Sequence, residues 1–146
     1  MKYPHRLYIL LLPLILVSGC QATVSQLNNQ HESVAAAKEW YLNGDLLTAE
    51  QHLNQLHVRG LASLHSWRLM GNIQFRQNRL DAAESAYQAA LQLAPSDRFS
   101  WHNLALVKLR KTTMTLMQAR SQLGELSHDN ARLLEQLLRL QRVELQ

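Results

Sequence analysis

A single cysteine, Cys20, is all that the 146 residues hold, so neither an internal disulfide nor a cysteine-cluster metal site can form. Glycine and proline are also scarce, five and three, where a β-barrel or sandwich would need many more turn residues. Charge of one sign is missing too. Fifteen Lys and Arg against eleven Asp and Glu leave a net +4 with no basic tract, too mild a balance for a nucleic-acid partner. No apolar run reaches the roughly 20 residues of a bilayer crossing; the longest, Leu7 to Val17, has eleven. The seven histidines (His5, His31, His52, His57, His65, His102 and His128) make no HExxH and no close ligand group. The nucleophile elbow, the Walker loop and the dinucleotide glycine motif are all absent. No catalytic residue, metal site or cofactor is therefore expected, and the length suits one domain.

What the chain does hold is centred on residues 64–97, LHSWRLMGNIQFRQNRLDAAESAYQAALQLAPSD. Two helical patterns are joined here by the polar turn Gln77-Asn78-Arg79, and Asp81 falls in the first turn of the second helix, where a carboxylate suits the helix dipole. Gly71 and Ala83 are small where two antiparallel helices come close, with Trp67, Tyr87 and leucines filling the volume around them. So short a pair cannot bury its apolar face alone and needs stacked neighbours.

The spacing W-x2-M-G, then A-x3-Y-x2-A, then Pro95 resembles the tetratricopeptide repeat, a helix-turn-helix unit of about 34 residues. Gln74 stands where the repeat's usual tyrosine would be, with Phe75 beside it. Stepping by that length gives a degenerate repeat at about 30–63, with Ala37 and Ala49 as the small pair and Gly44-Asp45 as the turn. A second degenerate copy covers 98–131, where Trp101, Leu104 and Ala105 match. There one helix is expected over Phe99–Arg110 and another over Leu116–Leu126, opened by a Thr115/Gln118 capping box. A last helix over 131–144, capped by Asp129 or Asn130, presents a Leu133, Leu134, Leu137, Leu138 stripe that closes the core or pairs with a second copy. The resemblance implies an all-α, right-handed solenoid of three hairpins plus a capping helix, seven helices in all. Trp40, Trp67, Trp101 and Tyr87 are assigned to its core.

The N-terminus carries a different signal. Lys2 and Arg6 precede the eleven-residue apolar run, and small residues follow at Ser18 and Gly19, the pattern of a signal peptide over 1–19. Val17-Ser18-Gly19-Cys20 resembles the lipobox of bacterial lipoproteins, which implies cleavage before Cys20 and lipidation there. Each buried CH₂ of the acyl chains would contribute about 0.8 kcal/mol of membrane affinity. Gln21 after the cysteine resembles the default for outer-membrane export. Residues 20–30 read as a polar tether, and 31–146 as the repeat domain.

In the repeat family the first helix of each unit lines a concave face that holds a peptide. Carried onto this chain, the lining residues include Lys38, Tyr41, His65, Arg68, Asn72, Phe75, Arg76, Phe99, His102 and Arg110. Arginine and aromatics are the types enriched at interface hot spots. Arg68 and Asn72 resemble one arm of the family's carboxylate clamp, although Val34 and Leu106 interrupt the rest. The expected partner is a protein of the cell envelope. The resemblance extends first to pilotin-like lipoproteins that serve a secretin or pilus component, and, as the alternative, to adaptors that recruit peptidoglycan hydrolases or synthases.

Overall fold

The structure, a computed structural model, describes residues 33–143. The leader, Cys20 and the tether lie outside the described residues, which hold six α-helices and no strand. The all-α class is the one the sequence predicts. The chain divides into two compact units, Met1–Leu61 and Ala62–Gln146.

The described part of the first unit is a helix hairpin. Helix α1 spans 33–42, and α2 spans Leu46–Val58. Gly44 makes the turn at φ 85°, a conformation that glycine adopts without a Cβ penalty. Asp45 then caps α2, accepting hydrogen bonds from the Thr48 amide at 3.0 Å and the Thr48 hydroxyl at 2.7 Å. These bonds hold its carboxyl below the usual carboxylate range. Ala37, Ala49 and Leu53 are wholly buried. Trp40, assigned to the core from sequence, is instead 42% exposed.

The second unit begins with the hairpin of α3 (Leu64–Arg76) and α4 (Leu80–Leu93). Ser63 and Ser66 start α3 with a reciprocal capping box, at 2.8 and 3.2 Å. Asn78, at φ 59°, makes the turn. The close approach expected at Gly71 is real, but what comes close is the Tyr87 ring: a Cβ on Gly71 would stand 2.5 Å from its Cε1 atom. Tyr87 joins Leu80, Ala83, Leu91, Leu104 and Val107 in the core, and Phe75 packs against them. Trp67 is half-buried.

Beyond Pro95 the turn expected between Arg110 and Leu116 is absent, so the described residues hold six helices where seven were expected. Helix α5 runs unbroken from Arg98 to Leu123, 26 residues through the anticipated turn. Asp97 caps it, accepting from the Ser100 amide at 2.8 Å. Where the break was expected, Thr112, Thr113 and Thr115 donate their hydroxyls back to the carbonyls of Lys108, Leu109 and Lys111 at 2.9–3.0 Å. Threonine accommodated this way stays inside a helix rather than opening a new one.

Helix α5 also changes the side it buries. Ser100, Leu104 and Val107 share one face with α4, reinforced by Lys108 and Lys111 reaching Glu84 at 2.7 and 2.8 Å and by Lys111 reaching Asp81 at 2.7 Å. Thr113 follows Leu104 by two and a half turns and so lies on the opposite side. There it receives Gln141 Nε2 at 2.7 Å from α6 (His128–Val143). Ser127, not Asp129 or Asn130, caps α6, its hydroxyl accepting from the Asn130 amide at 3.4 Å. Leu134 and Leu137 are the buried part of the α6 stripe, while Leu133 and Leu138 are exposed.

Because α6 takes the far side of α5, no second helix returns along Trp101 and Ala105. Trp101, also assigned to the core from sequence, is consequently 55% exposed, and Ala105, which corresponds to Gly71, is exposed as well.

Candidate peptide-binding face

Of the ten residues expected to line the concave face, Lys38 and Tyr41 lie on α1 in the first unit. The other eight lie on α3 and α5 in the second unit, where the structure brings several together in a ladder of three rungs. At one end the Arg68 guanidinium stacks over the Phe99 ring, 4.7 Å from its centroid. In the middle Asn103 Nδ2 donates to Asn72 Oδ1 at 3.1 Å. At the other end Arg110 stacks over Phe75 at 5.3 Å. Each helix thus contributes one guanidinium and one ring, in reciprocal order. A cation over an aromatic face is attracted by the ring's quadrupole, worth about 0.5–1 kcal/mol at an exposed site.

The structure assigns two of these side chains internal duties that the sequence did not announce. Asn72 Oδ1 also accepts the Tyr87 hydroxyl, at 2.7 Å, so this asparagine ties the face to the core beneath it. Arg68 also faces Asp97, at 3.6 Å. Partial burial of Asp97 favours its neutral form, but the Ser100 hydrogen bonds together with the charges of Arg68 and His65 prevail and hold its carboxyl below the usual range. With Asn72 and Arg68 so engaged, the pair is a poor carboxylate clamp. His65, Arg76 and His102 are exposed around the ladder, and Phe99 is 62% exposed at its end.

Asp97 and Asn103 are the members of the site that sequence reasoning missed. Asp97 was findable as a helix cap, since an aspartate three residues before Ser100 and ahead of an apolar-periodic run is a start signal. Asn103 carried no signal, because its role depends on which residue of α3 lies opposite.

The chemistry on offer is recognition. Two half-buried arginines held flat on rings present oriented N–H donors to an acceptor, and the exposed edge of Phe99 offers apolar area. Among the described residues no group of three or more His, Cys, Asp or Glu side chains is placed to hold a metal ion.

Comparison with known proteins bears on one stretch. Residues 64–107, covering α3, α4 and the first part of α5, match the sequence model of the tetratricopeptide repeat family. No curated protein and no solved structure matches the chain. The chain therefore contains a tetratricopeptide-repeat segment, and the ladder lies within that segment except for Arg110, one turn beyond it.

Proposed function

We propose that the protein is a membrane-anchored, non-enzymatic lipoprotein that holds another protein of the cell envelope on the α3–α5 face. A repeat of this type implies a protein partner, and the observation that carries the reading here is the pair of reciprocal arginine–ring stacks on one side of the molecule. Oriented guanidiniums lose little freedom on binding a carboxylate or carbonyl, which lowers the ordering cost of association. The bound segment is a peptide with acidic groups placed to meet Arg110 and Arg76.

The anchor in this proposal is lipid on Cys20, at the periplasmic side of the outer membrane, supported by the leader and the Val17-Ser18-Gly19-Cys20 pattern. The pathway proposed is pilus or secretion-system assembly, with a secretin or pilus component as partner, in the manner of a pilotin. A second reading, an adaptor that recruits peptidoglycan hydrolases or synthases, uses the same face and anchor.

Three measurements test the proposal. Replacement of Cys20 by alanine should move the protein from the membrane to the soluble fraction; retention in the membrane would sink the anchor. Cross-linking in membranes followed by mass spectrometry should yield a secretin or pilus protein, whereas a peptidoglycan enzyme would transfer the proposal to the second reading. The double substitution Arg76→Glu with Arg110→Glu should abolish capture of that partner while the far-ultraviolet circular dichroism stays unchanged. Undiminished capture would remove the α3–α5 face from the account.

A further inference from the structure

Helix α5 outruns the helices it packs on, and the part that runs on carries one side of the α3–α5 face with it. Phe99, Asn103, Arg110, Met114 and Met117 follow one another at steps of four, seven, four and three residues, so they share one side of the helix. The first three meet α3, through Arg68, Asn72 and Phe75. Phe75 is the last residue but one of α3, and Lys111 reaches Asp81 in the first turn of α4, so α3 ends and α4 begins level with Arg110. Helix α5 continues from there to Leu123, about 20 Å further. Among the described residues of this unit only α6 accompanies it, on the side of Thr113. Met114 and Met117 are accordingly 47% and 53% exposed, on the side that α3 covers nearer the start of α5.

The stripe changes character at Arg110. Past it the exposed residues on this side, Met114, Met117 and Ser121, carry no charge. Lys111 turns toward α4, where Asp81 and Glu84 hold it, and Lys108 reaches Glu84 from the opposite side of α5. Arg120 lies on the α6 side, in the wall of a cavity with Ala131 and Leu134. Arg110 stacks on Phe75 and meets no carboxylate among the described residues. A cation lacking a counter-charge, next to two exposed thioethers, is complementary to a carboxylate next to apolar side chains. Methionine suits such a contact, because its unbranched chain and polarizable sulfur adapt to apolar shapes of many kinds.

Spacing selects the form of that complement. Met114 and Met117 stand about 6 and 10 Å from Arg110 along α5. A second helix laid alongside matches both distances with its residues i, i+4 and i+7, the positions by which amphipathic helices are read in grooves. An extended strand places same-side residues at about 7 and 13 Å and misses the second.

On the footing that the α3–α5 face holds the partner, we propose that the bound segment is an amphipathic helix lying along α5 past the end of α3. Its carboxylate meets Arg110, and apolar side chains four and seven residues from that carboxylate pack on Met114 and Met117.

Photo-cross-linking from the full chain in intact cells tests this. Benzoylphenylalanine is placed in turn at Met114, at Met117 and, as a reference on the α3–α5 face, at His65, and the adducts are mapped to the residue by mass spectrometry. Adducts from 114 and 117 should fall on one partner segment, three or four residues apart, with an Asp or Glu one turn from the first. Arg110→Glu should lower the yield from 117 by at least about tenfold, because it sets two carboxylates against each other, and Arg110→Lys should keep most of it. Adducts from position 65 alone would overturn the extension along α5 and leave the α3–α5 face standing. Adducts two residues apart, adducts on another copy of this chain, or a yield unmoved by Arg110→Glu would overturn the bound helix. No adduct from any of the three positions would remove the face and the helix together.

Discussion

Gly71 lies under a phenol ring, and the fit leaves no room for a methyl group. Gly71→Ala would place a Cβ 2.5 Å from Tyr87 Cε1, and the ring cannot retreat without breaking its hydroxyl's 2.7 Å bond to Asn72. The substitution is expected to cost about 1–3 kcal/mol, the usual range for overpacking, measured as a shift in the urea midpoint. Tyr87→Phe keeps the ring and loses that bond, for about 1 kcal/mol, in the same experiment. Both residues were legible in the sequence as members of a small-large pattern. Their contact with each other was not, because the pattern set Gly71 against Ala83 across the helices. The tryptophans were read less well. Residue type favours the interior, but Trp101 shows that a helix must actually cover the position, and its indole donates instead to the Pro95 carbonyl at 2.8 Å, at the surface.

Among the elements, α5 is the one that repeat counting misread. Its register called for a turn near 111–115, yet the stretch from Leu104 to Leu123 contains no glycine, proline or asparagine, the residues that most often close a helix. That absence was visible and outweighed the repeat register. Thr112→Pro distinguishes the two architectures: in a turn it would be nearly neutral, whereas in the middle of this helix it should cost about 3 kcal/mol or more, read from thermal unfolding. The α4–α5 contact makes a second prediction, for pH. Hydrogen bonds from Lys108 and Lys111 hold Glu84 below its ordinary value of 4.5. Asp97 is likewise held below 3.8. A carboxylate lowered in the folded state stabilises the fold above its ordinary value, and that stability is lost as pH falls through the folded value. The melting temperature should therefore drop as the pH is taken below 4.5, and Glu84→Gln should lower it at neutral pH while shrinking the acid drop. His57, whose burial favours the neutral imidazole, adds an earlier loss as pH falls below 6.5. This contribution should be unaffected by Glu84→Gln.

For the whole molecule, the family's positions picked out candidate lining residues but gave no account of how these are arranged in space. Arg68, Phe75, Phe99 and Arg110 were each named as lining residues, while their pairing across two helices depends on which turn of α3 lies beside which turn of α5. Only the folded chain contains that information. If the face holds an acidic segment, capture should weaken as salt is raised from about 50 to 300 mM, because the Debye length shortens from roughly 14 to 6 Å over that range; binding indifferent to salt would mean that the rings, not the cations, hold the partner. The switch of buried sides along α5 has a consequence of its own for how this protein can vary. Adding or deleting one residue between Val107 and Thr113 would rotate everything downstream by about 100°, swinging Gln141 and the rest of α6 away from the place they now occupy. This helix works as a ruler, tolerating replacement of its residues far better than any change in their number.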